Sequence, residues 1–321
     1  MIAEADILAS LRQALQEAQD DATPLVDRLH RLSGIGSTAD NFLTKLVSGT
    51  DAVAGGASTG QGLFPAASER IRKGLIHVVS QAVSCFERSI KPALQQRGIC
   101  IRPFAELTLP QQRQANDFFR QATLPVLTPL GFDPGRPFPK ISNLSVNLAV
   151  LVRDKQTRKR FARIKVPDDL PQLVRVDRRP GAVRRGAEPE YLWLEDLITA
   201  NLAQLFPGLE VETAHPFRII RGRETATDTS ASLRHADRRR KRLGRVVQLQ
   251  VERRMPAAIL HILTDNLRVS PAAVCRLDGL IALSRLSHVA ALDLLARKPS
   301  RAKTVTLHHP DRPHWDHSLS A

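Results

Sequence analysis

Residues 124–150 read LPVLTPLGFDPGRPFPKISNLSVNLAV, and the chain changes character inside them. Pro125, Pro129, Pro134, Pro137 and Pro139 crowd the first part too densely for a helix. Val126, Leu127, Leu130, Phe132 and Phe138 lie among them, so the stretch does not read as a solvated linker either. It reads as a stiff, buried strap, with Leu124, Thr128, Asp133, Arg136 and Phe138 pushed towards extended or turning backbone by the proline that follows each. Asp133-Pro134-Gly135-Arg136 suits a type II turn. From Val146 onward the period becomes two, and Val146, Leu148, Val150 and Val152 share one face.

The β pattern continues downstream. In FARIKV, Phe161, Arg163 and Lys165 alternate with Ala162, Ile164 and Val166, and the charged RDKQTRKR between the two runs predicts a β-hairpin. Further strands are expected at Leu173–Val176, Phe217–Arg221 and Val246–Val251, a helix at about Leu194–Leu205, and helical patterning over Ala257–Arg297. Strands and helices mixed without a βαβ rhythm indicate an α+β domain.

Upstream the period is helical. Ile7, Leu8, Leu11, Leu15 and Ala18 form one stripe, and Leu25, Leu29 and Leu32 a second after Pro24. A third helix is expected at about Ser37–Leu46. A fourth, over about Ala66–Gln96, places Ile71, Leu75, Val78, Val79, Ala82, Phe86 and Ile90 on one side. The fold class is therefore α+β: an antiparallel helical bundle over residues 1–106, a mixed α/β-sheet domain over 107–297, and an irregular tail over 298–321.

Bulk properties narrow the function. No run of eighteen apolar residues can span a bilayer, and the N-terminus is acidic and amphipathic rather than signal-like, so a cytoplasmic location, with peripheral membrane association as a variant, is expected. Cys85, Cys100 and Cys275 form no C-x-x-C pair and read as buried apolar groups. The glycine-rich SGTDAVAGGASTGQG lacks the lysine of a phosphate-binding P-loop and reads as a connection. In the tail, His309, His314 and His317 with Asp311 or Asp316 do not make a metal site by spacing alone.

The net charge of +15 is uneven. Residues 1–100 hold ten basic and ten acidic side chains, whereas residues 153–185 and 218–254 each hold twelve basic and four acidic. Such asymmetry points to an anionic partner, polyphosphate or nucleic acid, or else to solvated faces. The densest run, RHADRRRKRLGR, puts Arg238, Arg242 and Arg245 near one face, where they could meet phosphate oxygens or a second subunit. The run contains no aromatic side chain on which a base could stack, which disfavours nucleic acid.

The same residues resemble a known family. LPVLTPLGFDPGRPFPKISNLSVNLAV is similar to the signature of the middle domain of the long bacterial polyphosphate kinases. FARIKVP, LEDLITANLAQLFPG, FRIIR and RRKRLGRVVQLQVERRMP follow in the family's order, and ALQEAQDDATPLVDRLHRLSGIGSTADNF resembles its N-terminal helices. The resemblance covers about residues 12–297.

It implies an enzyme that transfers the terminal phosphate of ATP to polyphosphate through a phosphorylated histidine, with Mg2+. The groups that do so lie in two further domains, which the resemblance places beyond this chain. It also places Thr38 where the family carries a nucleotide-contacting asparagine; Ser37 or Thr38 as a helix cap is the other reading. None of the ten histidines sits in an H-x-K pair and no D-x-D cluster offers a magnesium site, so no catalytic residue and no metal ligand is nominated. Self-association, or pairing with a full-length relative, is the expected retained activity. A non-enzymatic polyanion binder is the alternative.

Overall fold

The computed structural model describes residues 4–45, 65–132, 138–155, 158–176, 190–222 and 244–296. The N-terminal part is helical: α1 (Glu4–Gln19), α2 (Leu25–Lys45) and α3 (Pro65–Cys85), the last running through a π turn at Phe86–Ile90 into α4 (Lys91–Gln96). The short strand β1 (Cys100–Ile101) leads to α5 (Leu109–Phe118), a second π turn at Phe119–Thr123, and a 3-10 turn at Leu124–Val126. Thr108 and Gln111 make the capping box of α5.

Two sheets follow. The larger takes β2 (Leu130–Phe132), β3 (Val146–Arg153), β4 (Lys159–Lys165), β7 (Glu210–Arg221), β8 (Val246–Glu252) and β9 (Val274–Leu277) in the order β2-β4-β3-β7-β8-β9. All its pairings are antiparallel except β8 with β9. The smaller sheet sets β6 (Glu190–Trp193) between β1 and β5 (Leu173–Val176). The remaining helices are α6 (Leu194–Ala200), α7 (Leu202–Leu205), α8 (Ala257–Leu267) and α9 (Leu286–Ala296).

The hairpin predicted at residues 146–166 is present, with Leu148 opposite Ile164 and Val150 opposite Ala162. Its strand β3 is central and buried on both faces. Val146, Leu148, Val150 and Val152 join one core beneath α5 and α6, while Ala149, with Phe161 and Phe217, joins a second beneath α8. Two of the polar side chains caught inside pair with each other: Arg163 donates from Nε to Asn147 Oδ1 at 2.7 Å.

A third core joins the helices to the sheet. It contains Leu11, Leu29, Leu32, Leu75, Phe86 and Ile90 from the N-terminal helices together with Ile220, Val247, Cys275, Leu277, Leu283 and Val289. Burial pushes the Cys275 thiol up to about 12. All three cysteines are free and buried, as the sequence reading expected.

Several expectations are corrected. The strap anchors through Leu127, Phe132 and Phe138, the two phenylalanines packing with each other at a ring distance of 5.1 Å and with Phe161 at 6.4 and 5.7 Å. Val126 and Leu130 instead remain 50% and 38% exposed, and Leu124 is helical because the π turn carries it into the 3-10 turn. The proposed turn at residues 133–136 lies outside the described residues. The helix expected at 194–205 is broken at Asn201, which donates from Nδ2 to Leu197 O. The region from Ala257 is not wholly helical: Val274–Leu277 forms β9, an apolar run too short for its period to distinguish a strand from a helix.

No third helix starts at Ser37. α2 runs unbroken through Gly34 and Gly36, so Ser37 and Thr38 lie inside it and cap nothing. Gly36 is there for space: a Cβ would stand 2.5 Å from Ser284 N and 3.0 Å from Leu283 C, both backbone atoms. Ser33 fixes this crossing by donating to Ser284 O at 2.7 Å. A Cβ on Gly34 would meet nothing within 4 Å. Gly36→Ala is therefore expected to lower stability by about 1–2 kcal/mol, the overpacking cost exceeding the gain in helix propensity. Gly34→Ala is expected to raise it by about 0.5–1 kcal/mol in the same urea titration.

Candidate anion site

The chain enters and leaves residues 223–243 at one end of the β7–β8 pair, and local chemistry holds the two ends together. Gly222 N donates to Arg245 O at 2.9 Å. Gly244 sits at φ +68, and a Cβ there would lie 2.2 Å from Gly222 O, so only glycine fits. Arg221 spans the junction: Nη1 donates to Gly244 O at 2.9 Å, while Nε and Nη2 reach Ile141 O at 3.3 and 3.2 Å. Burial pushes the Arg221 guanidinium down from its ordinary range.

The ISNLS turn of the opening stretch forms the other wall. Asn143 Oδ1 accepts from Arg221 N at 2.8 Å, and Leu144 N donates to Ile219 O at 3.0 Å. Leu144 adopts φ 61, a left-handed conformation costly for a branched side chain and held by these bonds.

Arg245, exposed just before β8, belongs to this end. So does Arg72 of α3, which is half-buried, with a buried Nε that has no hydrogen-bond partner. Burial is the main cause that lowers the Arg72 pKa; Glu69 opposes it, and the nearby charge of Arg245 adds to it. Two guanidiniums that repel each other beside a desolvated N–H make an arrangement that an anion would relieve.

Of the anion-site residues read from the sequence, Arg245 lies exposed at this end of β8, and Arg238 and Arg242 lie outside the described residues. Sequence reasoning missed Arg72, which sits in an amphipathic helix like any solvated arginine, and Arg221, which reads as the end of a strand. The basic hairpin is largely neutralised internally. Arg153 and Lys159 share Glu212, Arg158 and Arg160 share Asp154, and Lys165 meets Asp168.

Thr38 is far in sequence from these groups. It lies exposed on α2 in a groove of about 440 Å³ shared with α1, beside Ser10, Leu11, Asp27, His30, Arg31 and Gly34. Arg31 in this groove is already paired with Glu17 at 2.8 Å.

Comparison with known proteins adds a decisive observation. Residues 3–102 match the polyphosphate kinase N-terminal domain, and residues 110–289 match the polyphosphate kinase middle domain. The chain belongs to the polyphosphate kinase family. A polyphosphate kinase from Thermosynechococcus vestitus is 35% identical over 288 residues, covering 86% of this chain and 39% of that protein. One from Streptomyces coelicolor is 36% identical over 296 residues, covering 89% and 38%. The crystal structure of the polyphosphate kinase from Porphyromonas gingivalis superposes with a TM-score of 0.71 at 25% identity, covering 87% of this chain and 39% of that one. The chain thus spans about two fifths of the length of the polyphosphate kinases it matches.

The Arg221 clamp gives a test. Lysine keeps the charge but cannot reach Ile141 O and Gly244 O together. Arg221→Lys should cost about 2 kcal/mol in urea unfolding and speed amide exchange at Gly222. A loss within the experimental scatter would show that the clamp does not hold the junction.

Proposed function

We propose that these residues are the helical and middle portions of a polyphosphate kinase: they hold nucleotide and polyanion and join subunits, and they do not supply the phosphorylated histidine. The observation that carries this reading is the match of nearly the whole chain to only two fifths of its relatives, combined with ten histidines none of which stands in an H-x-K pair. The family reaction moves the terminal phosphate of ATP onto polyphosphate.

Thr38 would face the nucleotide. Its hydroxyl offers one donor where the family's asparagine amide offers two, so nucleotide affinity should be weakened. Among the described residues no three His, Cys, Asp or Glu side chains converge, and no step is assigned to Mg2+. Arg238, Arg242 and Arg245, with Arg72, would take polyphosphate oxygens.

Self-association, or pairing with a full-length polyphosphate kinase, is the activity proposed for this portion. Among the described residues no helix is long and apolar enough to cross a membrane. The cytoplasm, with a peripheral membrane position as a variant, is the proposed site of action. The basic cluster also supports a second reading, a polyanion binder without catalysis, for which nucleic acid is the less favoured ligand.

Incubated with ATP, Mg2+ and polyphosphate, the purified 321-residue chain should transfer no phosphate, and transfer would overturn the proposal. Binding to polyphosphate should weaken steeply with salt, log K falling linearly with log salt concentration. Salt-independent binding would remove the arginine cluster from the account.

A further inference from the structure

A row of polar side chains is buried where the helices meet the larger sheet. Arg218 of β7 stands directly opposite Gln250 of β8, which stands opposite Cys275 of β9, so the three share the face turned to the helices. Arg218 donates from Nη2 to Asp40 of α2, and Gln250 donates from Nε2 to Gln248 Oε1 at 3.0 Å.

The groups left over in this row are complementary. Arg218 Nε, a donor, and Gln250 Oε1, an acceptor, are both shut off from solvent and neither has a hydrogen-bond partner. The two residues are only 2% and 3% exposed, so a polar atom without a partner is costly there. Each atom lies three bonds beyond its Cβ, so two residues paired across neighbouring strands carry them to a similar height above the sheet. They do not bond each other, and a bridge between them would satisfy both at once.

Chemistry specifies the bridge. It must accept from Nε–H and donate to Oε1. It must also be neutral, because the charge of Arg218 is already matched by Asp40: an added anion would face that carboxylate, and an added cation the guanidinium. Ile220, two residues along the same face of β7, and Cys275 on the far side of Gln250 surround the row with apolar surface. A small neutral molecule that accepts and donates within one heavy atom is water.

We infer that Arg218 Nε and Gln250 Oε1 bind one internal water molecule as a fixed ligand of the fold. It accepts from the arginine and donates to the amide oxygen. Held on that side, the guanidinium is oriented with Nη2 towards Asp40, so the water extends the contact of α2 with β7 across to β8.

A high-resolution crystal structure of the full chain should show one density peak within hydrogen-bond distance of both atoms. In solution, the Arg218 Hε resonance, identified by its loss in Arg218→Lys, should give a nuclear Overhauser cross-peak to water with the sign of a long-lived internal site. Gln250→Met keeps the shape and removes the acceptor, so it should lose that cross-peak. Should Gln250→Met fail to fold, the density and the cross-peak of the parent still decide. A direct Arg218 Nε–Gln250 Oε1 hydrogen bond in the crystal, an Hε resonance without the water cross-peak, or a cross-peak that survives in folded Gln250→Met would overturn the assignment.

Discussion

Arg218 points from β7 at Asp40 of α2, and both side chains are shut away from water, at 3% and 8% exposure. Burial outweighs the pull of Arg218 on the carboxyl, so the Asp40 pKa lies above its ordinary range. A pair of this kind adds little net stability, because desolvation cancels most of the attraction. Its effect is positional: α2 can settle on the sheet only in the register that brings the two charges together, since any other leaves a charge buried alone. Apolar burial drives the helices onto the sheet, and the ion pair selects where they land.

The remaining joints follow from that register. It brings Gly36 against the backbone of residues 283–284, and it is completed by Arg285, whose two terminal nitrogens meet the two oxygens of Glu195 at 2.7 and 2.8 Å while the guanidinium lies 4.6 Å over Trp193. The last described helix thus belongs with the first two in one core, although more than 240 residues separate them in sequence. The end of β7 is consequently set beside α3, which is why Arg72 and Arg245 confront each other.

Much of this was legible in the sequence where a local period is strong. The stripe from Ile71 to Ile90 and the alternation of Val146 to Val152 announced α3 and the hairpin, and the proline stretch marked the change from one regime to the other. The separate helix expected at Ser37 is absent, because sequence alone does not show that Gly36 sits within α2 to admit a neighbouring backbone. Strand β9 was hidden in four residues whose partner β8 lies more than twenty positions upstream. The sites were harder still. Arg72 acquires meaning only when the fold brings Arg245 to it.

Residues 4–96 and the sheet region share one core and form one cooperative body, with the polar joints fixing how they meet. With Trp315 replaced by Phe, Trp193 alone reports on the sheet side of the Glu195–Arg285 joint, while far-UV circular dichroism is dominated by the helices. Urea unfolding followed by both signals should give coincident midpoints. A helical signal that survives after Trp193 fluorescence has reached its unfolded value would contradict the account.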